Sequence, residues 1–290
     1  MRVTPNRRRA DEWAVVLAAA GIPHWLRQRL DGWALIVPPD DAASALETLA
    51  AYDEETLRDD VHDGDDVAPS RPLTIAGAVV ALLLIGFFAI TGPRAGRSAW
   101  FEHGSADATR MMAGEWWRAV TALTLHADAP HLLGNALATA VLMTAVCWYL
   151  GPGVGLSLLL LAGAGGNILT AAVHGGGHVS VGASTAVFGA IGILAALRIV
   201  APASAAPASV GSRRSKWWVV VAASLVLLAL LGTAPDADLL AHAFGLLVGA
   251  GLGLITALTV RWMPPAAVQW VLVAAVGAAV FGAWRLALSR

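Results

Sequence analysis

Hydrophobic and polar positions divide the chain into a polar amino-terminal part and a longer apolar part. In the first 58 residues Asp, Glu and Arg are frequent, and no apolar run reaches the roughly 20 residues that cross a bilayer. Helical periodicity covers residues 10–21, and an alternating segment at 24–37 is interrupted by Asp31-Gly32, a dipeptide typical of hairpin turns. Pro and Asp residues at 38–41 precede a second helix that ends near Glu55. We predict a small soluble α+β domain, residues 1–58, with the order α-β-β-α.

Apolar segments dominate after an acidic, Pro-rich linker predicted at residues 59–72. Seven of these segments approach the length of a membrane span, and the fifth is the shortest. They are residues 73–91, 132–150, 154–173, 181–200, 217–231, 239–260 and 266–288. The connection 92–130 contains Trp and Phe but no long apolar run, so we expect it to lie in the membrane interface. The predicted fold class is an all-α polytopic membrane protein that carries a small α+β amino-terminal domain.

The composition agrees with this division, and the distribution of charge predicts the orientation of the chain in the membrane. Hydrophobic residues make up 57% of the 290 positions and charged residues 13%. The net charge of -1 argues against a nucleic-acid partner. The basic residues Arg71, Arg261 and those at 213–216 share one side of the membrane if the amino terminus is cytoplasmic, as the positive-inside rule requires. We therefore predict a multi-pass protein of the cell membrane whose amino-terminal domain is cytoplasmic and could bind a partner there.

Few residues in the apolar part are capable of catalysis, and this limits the reaction mechanisms that the chain could use. No His-Glu-x-x-His string occurs, so a zinc peptidase is disfavoured. Beyond residue 128 the only acidic side chains are Asp236 and Asp238, both in one turn, which disfavours an aspartyl mechanism. Nucleophilic catalysis remains, with Ser184 as nucleophile and His242 as base. Because no carboxylate lies deep enough to orient the histidine, we expect a dyad that opens toward the outer face.

Glycine spacing indicates how the base is held. His242, Gly245, Gly249 and Gly253 recur at three- and four-residue intervals and share one helical face. Small residues at this spacing let two helices approach closely in lipid. Phe188 follows the candidate serine by one turn and could stack on the imidazole. The pattern predicts that the helices carrying the serine and the histidine pack together.

A second polar pair lies at the start of the second span. His131 and Asn135 are four residues apart on one face, and with the Ser184 backbone N–H they would form an oxyanion hole. Each residue also has a non-catalytic reading, because a membrane serine commonly bonds a neighbouring helix. Asn167, in the middle of the third span, is equally consistent with a structural contact between helices. Histidines inside a membrane are costly, however, and are more often functional.

Four motifs in order resemble those of the rhomboid intramembrane serine proteases, over roughly residues 73–260. They are Trp117-Arg118, His126 with His131-x-x-x-Asn135, Gly182-x-Ser184, and Ala241-His242-x-x-Gly245-x-x-x-Gly249. The resemblance implies a six-helix core, residues 73–260, and one additional carboxy-terminal transmembrane helix, residues 261–290. It implies cleavage of transmembrane protein substrates near the outer ends of their helices, in contact with membrane lipid and without a cofactor or metal.

The resemblance also implies a role for each matching residue. Ser184 is the nucleophile, His242 is the base, and His131 and Asn135 help to hold the oxyanion. His126 and Arg118 organise the outer loop without taking part in the chemistry.

Two positions depart from the family pattern. The usual Gly-x-Ser-Gly reads Gly182-Ala183-Ser184-Thr185, so a β-branched residue stands where a glycine would ease backbone approach. Thr185 could narrow the substrate cleft or reshape the oxyanion region. A tyrosine often stacks on the catalytic histidine in this family, and Phe188 keeps the ring without the hydroxyl.

Two other classes of function compete with proteolysis. An inactive rhomboid-like scaffold would bind membrane clients, but such relatives typically lack the serine or the histidine. A transporter would need broken helices in inverted repeats or intramembrane charges to carry an ion, and the spans show no such repeat and few charges.

Overall fold

The computed structural model describes residues 2–59, 75–200, 238–260 and 263–290. The chain divides into two compact units, one formed mainly by residues 1–73 and the other by the apolar part of the chain. The predicted linker after residue 59, the predicted fifth span at 217–231, Arg71, Arg261, the basic residues at 213–216 and Asp236 all lie outside the described residues.

The amino-terminal unit is a three-stranded antiparallel sheet with two helices. Strand order is β1-β3-β2, and the core contains Trp13, Leu17, Ile22, Leu35, Ala45 and Leu49. In chain order the elements are β1 Arg2–Thr4, α1 Arg7–Ala19, β2 Trp25–Arg29, β3 Gly32–Ile36, a 3-10 turn Pro39–Asp41 and α2 Ala42–Asp59. The predicted α-β-β-α order therefore lacked β1, because three residues are too short to show periodicity.

The hairpin between β2 and β3 turns one residue earlier than its sequence signal indicated. Arg29 pairs with Gly32, so Leu30 and Asp31 form the two-residue turn. Gly32 has a φ of 138°, and a Cβ there would overlap the Thr4 carbonyl oxygen of β1. The glycine is thus required where the third strand passes it, as well as beside the turn.

The apolar unit is almost entirely helical. Its long helices are α3 Ala76–Thr91, α7 Ala129–Leu150, α8 Pro152–His174, α9 Ser184–Val200, α10 Leu239–Thr259 and α11 Ala266–Leu288. The connection between α3 and α7 contains α4 Ala99–Gly104, β4 Ala106–Asp107, α5 Ala108–Met112, α6 Arg118–Thr121 and 3-10 turns at Arg94–Gly96 and Ala122–Thr124. Strand β5, Val179–Ser180, precedes α9 and pairs with β4.

Five of these helices are long and apolar enough to cross a membrane, counted over the described residues alone. They begin at Ala76, Ala129, Pro152, Leu239 and Ala266, and the first is counted from α3 through the following 3-10 turn to Gly96, 21 residues in all. Helix α9 is apolar but shorter, with 17 residues. The predicted class, an all-α polytopic membrane protein with a small α+β unit, is confirmed.

Helix α9 lies at the centre of this unit. Eleven of its residues, from Ser184 to Ala196, are buried. It packs against α7, α8 and α10, while α3 packs on α7. Its first residue, Ser184, is only 6% exposed.

Helix α11 docks on the core through a polar residue at its start. The side chain of Gln269 is 6% exposed and reaches the turn between α7 and α8. Its Oε1 accepts from the Gly153 and Val154 amides at 2.7 and 3.0 Å, and its Nε2 donates to the Leu150 carbonyl at 3.1 Å. One side chain thus caps the end of one helix and the start of the next.

The other end of α11 is held by aromatic packing. Trp284 contacts Phe87 and Trp100 at ring-centroid distances of 5.4 and 5.1 Å. Its Nε1 donates to Thr124 Oγ1 at 3.1 Å, and a Cβ at Gly104 would overlap the ring. The last helix therefore supports the connection that carries α4 to α6.

Candidate active site

Ser184 and His242 meet between two helices. Ser184 Oγ lies 2.8 Å from His242 Nε2, and the residues are 6% and 3% exposed. The serine is the first residue of α9 and the histidine is the fourth residue of α10. A hydroxyl at hydrogen-bond distance from an imidazole can lose its proton to it as the oxygen attacks an electrophile. The two residues proposed from sequence are thus brought together.

Glycines allow α9 and α10 to approach closely enough for this contact. A Cβ at Gly249 would overlap the Gly189 carbonyl oxygen, and one at Gly192 would overlap that of Leu246. Nearest the site, a Cβ at Gly245 would overlap the Thr185 carbonyl oxygen. The two backbones are therefore in direct contact from Gly245, next to the site, to Gly249, as expected of small residues in lipid.

The His242 ring is held by stacking. Phe188 lies 4.5 Å away between ring centroids, with 21° between the planes. His242 Nδ1 is buried and has no hydrogen-bond partner within the described part of the chain. The Ser184–His242 pair is therefore held in place by an aromatic ring that stacks on the imidazole.

The segment before Ser184 is bonded to the connection between α3 and α7. The Ala108 amide donates to the His178 carbonyl at 2.9 Å, and β5 pairs with β4 in the register Ala106 with Ser180. Further along, the Gly182 amide donates to the Ala122 carbonyl at 2.9 Å. The position of Ser184 therefore depends on this connection.

His126 and Arg118 are buried within the same connection. His126 Nε2 accepts from the Ala183 amide at 3.5 Å, next to the serine. Arg118 is 1% exposed, and its Nε and Nη1 donate to Glu115 Oε2 at 2.6 Å and to the Ser105 carbonyl at 3.0 Å. Neither residue contacts the serine hydroxyl, which fits the organising role suggested for them.

His131 lies beside the site, and Asn135 is turned partly toward its own helix. A Cβ at Gly182 would lie 2.8 Å from the His131 ring and 3.7 Å from Ser184 Oγ. Asn135 is fully buried, its Nδ2 donates to the His131 carbonyl at 2.9 Å, and its Oδ1 has no partner among the described residues. Among the described residues, the second Nδ2 hydrogen and Oδ1 of Asn135 therefore have no hydrogen-bond partner.

Metal-binding clusters are absent from the described ranges. In residues 2–59, 75–200, 238–260 and 263–290, no three His, Cys, Asp or Glu side chains are grouped so that they could hold an ion. Cys147, which is buried, packs against Gly155.

Comparison with known proteins gives the family. A family model described as the rhomboid domain matches residues 113–259, which is half of the chain and contains the Ser184–His242 pair. The chain belongs to the rhomboid family. As a rhomboid protein whose described part has five helices long and apolar enough to cross a membrane, it is a multi-pass membrane protein.

Two curated relatives are both rhomboid proteins of Bacillus subtilis (strain 168). The candidate rhomboid protease YdcA is 33% identical over 138 residues, which cover 47% of this chain and 65% of YdcA. The rhomboid protease GluP is 34% identical over 117 residues, which cover 40% of this chain and 23% of GluP. The chain thus spans less than two thirds of the length of either relative.

One polar link in this rhomboid site was not predicted. Thr185, the residue that departs from the family pattern, donates from Oγ1 to Asn167 Oδ1 at 3.1 Å. Asn167 Nδ2 donates in turn to the Ala119 carbonyl at 2.9 Å. A lone asparagine within an apolar span was the available signal, but it did not reveal its partners.

A second unpredicted contact joins the starts of the two site helices. Asp238 Oδ1 accepts from the Ala241 amide at 3.0 Å and so caps α10. Its Oδ2 lies 2.7 Å from His178 Nε2, and the His178 ring stacks on that of His174. Burial alone raises the pKa of Asp238, but hydrogen bonds from Ala241 and His178 outweigh it and hold the pKa below its ordinary value. His178 is thus paired with the carboxylate that caps α10.

Proposed function

We propose that this rhomboid protein is an intramembrane serine endopeptidase. The observation that carries the proposal is the 2.8 Å contact between Ser184 Oγ and His242 Nε2, in a buried position between two apolar helices. A serine bonded to a histidine from another helix could be packing glue. The stacked Phe188 and the adjacent buried polar groups favour catalysis, since a purely structural bond needs neither.

The reaction proceeds in two halves. Ser184 Oγ attacks the carbonyl carbon of a substrate peptide bond while His242 Nε2 takes the hydroxyl proton. The histidine then gives that proton to the leaving amine, and an ester between Ser184 and the substrate remains. Water, deprotonated by His242, attacks the ester, and the proton returns to Ser184 as the second product leaves.

The negative charge on the attacked oxygen needs hydrogen-bond donors. The Ser184 amide lies in the first turn of α9, where N–H groups lack intrahelical acceptors and the helix dipole favours an anion. The His131 ring, which lies beside Gly182, and the second amide hydrogen of Asn135, whose Nδ2 bonds to the His131 carbonyl, are the proposed side-chain donors. Together these groups form the proposed oxyanion hole.

The proposed substrates are transmembrane helices of other proteins. A hydrogen-bonded helix hides its carbonyls in lipid, so the substrate must unwind locally before the serine can attack. Residues that weaken helices are therefore expected near the cleaved bond. Ser184 is only 6% exposed, and the restricted space around it favours small side chains at that bond.

A fluorophosphonate probe tests the nucleophile. We expect the wild type to be labelled, Ser184→Ala to be unlabelled, and His242→Ala to be labelled at least about a hundredfold more slowly, the usual contribution of a general base. Ser157→Ala is the matched control, because Ser157 lies in α8 and its hydroxyl donates to the Gly153 carbonyl of the same helix. Labelling of Ser184→Ala would overturn the assignment. A folded wild type that neither reacts nor cleaves transmembrane substrates would indicate an inactive scaffold.

The proposed orientation places the amino-terminal unit in the cytoplasm and the site toward the outer face. The distribution of Arg and Lys between the predicted spans supports it. In a Cys147→Ala background, an impermeant maleimide applied to intact cells should label His174→Cys and spare Glu47→Cys; both positions are exposed. The reverse labelling pattern would contradict the orientation.

A further inference from the structure

Thr185 joins the first turn of α9 to two other elements. It is 3% exposed and follows the candidate nucleophile directly. Its hydroxyl donates to Asn167 of α8 at 3.1 Å, and Asn167 donates to the Ala119 carbonyl of α6 at 2.9 Å. A continuous chain of hydrogen bonds thus runs from the residue after Ser184 to the connection that precedes α7.

The Asn167 side chain is buried and is already hydrogen-bonded at both ends of its amide group. Asn167 is 4% exposed, and each end of its amide group has one partner within the described residues. A buried acceptor that loses its donor cannot turn to water, so removal of the Thr185 hydroxyl costs the full desolvation of Asn167 Oδ1. The bond therefore holds one defined geometry of the first turn of α9.

The methyl group of Thr185 fills the junction of three helices. A Cβ at Gly166 of α8 would lie 2.5 Å from Thr185 Cγ2 and 3.0 Å from Gly245 Cα. A Cβ at Gly245, three residues after His242, would lie 3.1 Å from the same methyl carbon. One side chain thus contacts the helix of the base and the helix of Asn167 while its backbone belongs to the helix of the nucleophile.

We propose that Thr185 is a positioning residue for Ser184. Its hydroxyl anchors the first turn of α9 to Asn167, and its methyl group sets the spacing of α9 from α8 and α10. The bond thereby fixes the Ser184 hydroxyl and amide against His242. This inference rests on the proposed protease function, and it assigns a task to the residue that replaces the glycine of the family pattern.

The test compares two substitutions that divide the side chain. Thr185→Val keeps the shape and removes the hydroxyl, whereas Thr185→Ser keeps the hydroxyl and removes the methyl group. We expect Thr185→Val to lower kcat for a transmembrane substrate, and the rate of fluorophosphonate labelling, by about tenfold with KM nearly unchanged. Thr185→Ser should recover most of that loss. Thr256→Val, which removes a buried hydroxyl bonded to its own helix at the far end of α10, should leave both rates unchanged.

A double substitution tests whether Thr185 acts through Asn167. Asn167→Leu should lower kcat, and Thr185→Val added to it should cause little further loss, because the two residues act through one bond. Thermal unfolding of every variant is measured alongside. If Thr185→Val unfolds at a lower temperature but its folded fraction keeps the wild-type kcat, or if the two losses multiply, the positioning role is wrong.

The failures of the two proposals are distinguishable. A wild type that neither reacts with the probe nor cleaves substrate removes the protease function, and the positioning role with it. An active wild type whose kcat does not change in Thr185→Val overturns only the role of Thr185.

Discussion

His126 is fully buried although it lies in a connection between helices. Burial disfavours the charged imidazole and lowers the pKa of His126 from 6.5 to about 3, and the nearby His131 adds to the effect. The ring stays neutral at ordinary pH, and its Nε2 can accept from the Ala183 amide. The backbone just before Ser184 therefore depends on an uncharged histidine.

Acid should weaken the fold through this residue. Below pH 6.5 His126 is protonated in the unfolded chain, whereas in the folded chain it stays neutral until about pH 3. The stability contributed by the neutral ring is complete above pH 6.5 and is lost progressively as the pH falls toward 3. Between pH 7.5 and 5 we expect a loss of about 2 kcal/mol in the free energy of unfolding, measured by denaturation in detergent.

His126→Gln is the control for this pH dependence. It keeps a neutral hydrogen-bonding side chain and removes the titration, while exposed histidines such as His174 remain in both proteins. Its stability should change with pH by about 2 kcal/mol less than that of the wild type over the same interval. Identical pH dependences in the two proteins would show that His126 is not the group responsible.

At the scale of the elements, contact between α9 and α10 decides whether the site forms. Gly249 meets the backbone of Gly189, whereas Gly251 on the same helix has no atom within 4 Å of the position of a Cβ. The two glycines therefore differ in environment while they share a helix and a depth.

We expect Gly249→Ala and Gly251→Ala to behave oppositely. The first should force α10 away from α9, lower the unfolding temperature and reduce fluorophosphonate labelling of Ser184 more than about tenfold, since overpacking costs about 1–3 kcal/mol. The second should leave labelling intact and preserve or slightly raise stability, because alanine favours helix. Equal labelling rates in the two variants would contradict the role given to the interface.

The long helices were predictable because a membrane span is visible in the sequence as a run of about 20 consecutive apolar residues. Their limits were less accurate. Helix α7 begins at Ala129, three residues before the predicted 132, because Asp128 caps it by accepting from the His131 amide at 2.8 Å and Pro130 occupies its first turn. Both signals are present in the sequence, and apolar length alone overlooked them.

The contacts between helices were predictable only in part. The glycine spacing in α10 indicated a close approach, and the order of motifs indicated which helix it met. The pairing of Asn167 with Thr185 depends on the relative rotation and depth of α8 and α9, and neither quantity is written in the residues of one helix. For the same reason His178 gave no indication that it meets Asp238.

At the scale of the molecule, the two units have separate cores. The amino-terminal core is centred on Trp13, whose Nε1 donates to Asp53 at 3.3 Å and whose ring lies under Arg2. The residues of the proposed site belong wholly to the other unit. The chemistry should therefore be independent of the fold of the first unit.

Trp13→Ala tests this independence. Removal of a buried Trp costs about 3–5 kcal/mol, enough to unfold a domain of this size. Limited proteolysis should then cut within residues 1–58, while labelling of Ser184 by a fluorophosphonate continues at the wild-type rate. Val15→Ala is a suitable control, because Val15 is 67% exposed. Loss of labelling in Trp13→Ala alone would show that the first unit acts on the site.

The capped turn between α7 and α8 bears on how the protein fits its bilayer. The Gly151 amide bonds to Cys147, Pro152 has no N–H, Gly153 and Val154 donate to Gln269, and Gly155 donates to Gly151. With these amides satisfied by protein, fewer donors at the turn depend on water if it lies beneath the lipid headgroups. A bilayer thick enough to cover this end of the protein would therefore leave fewer unpaired donors in lipid.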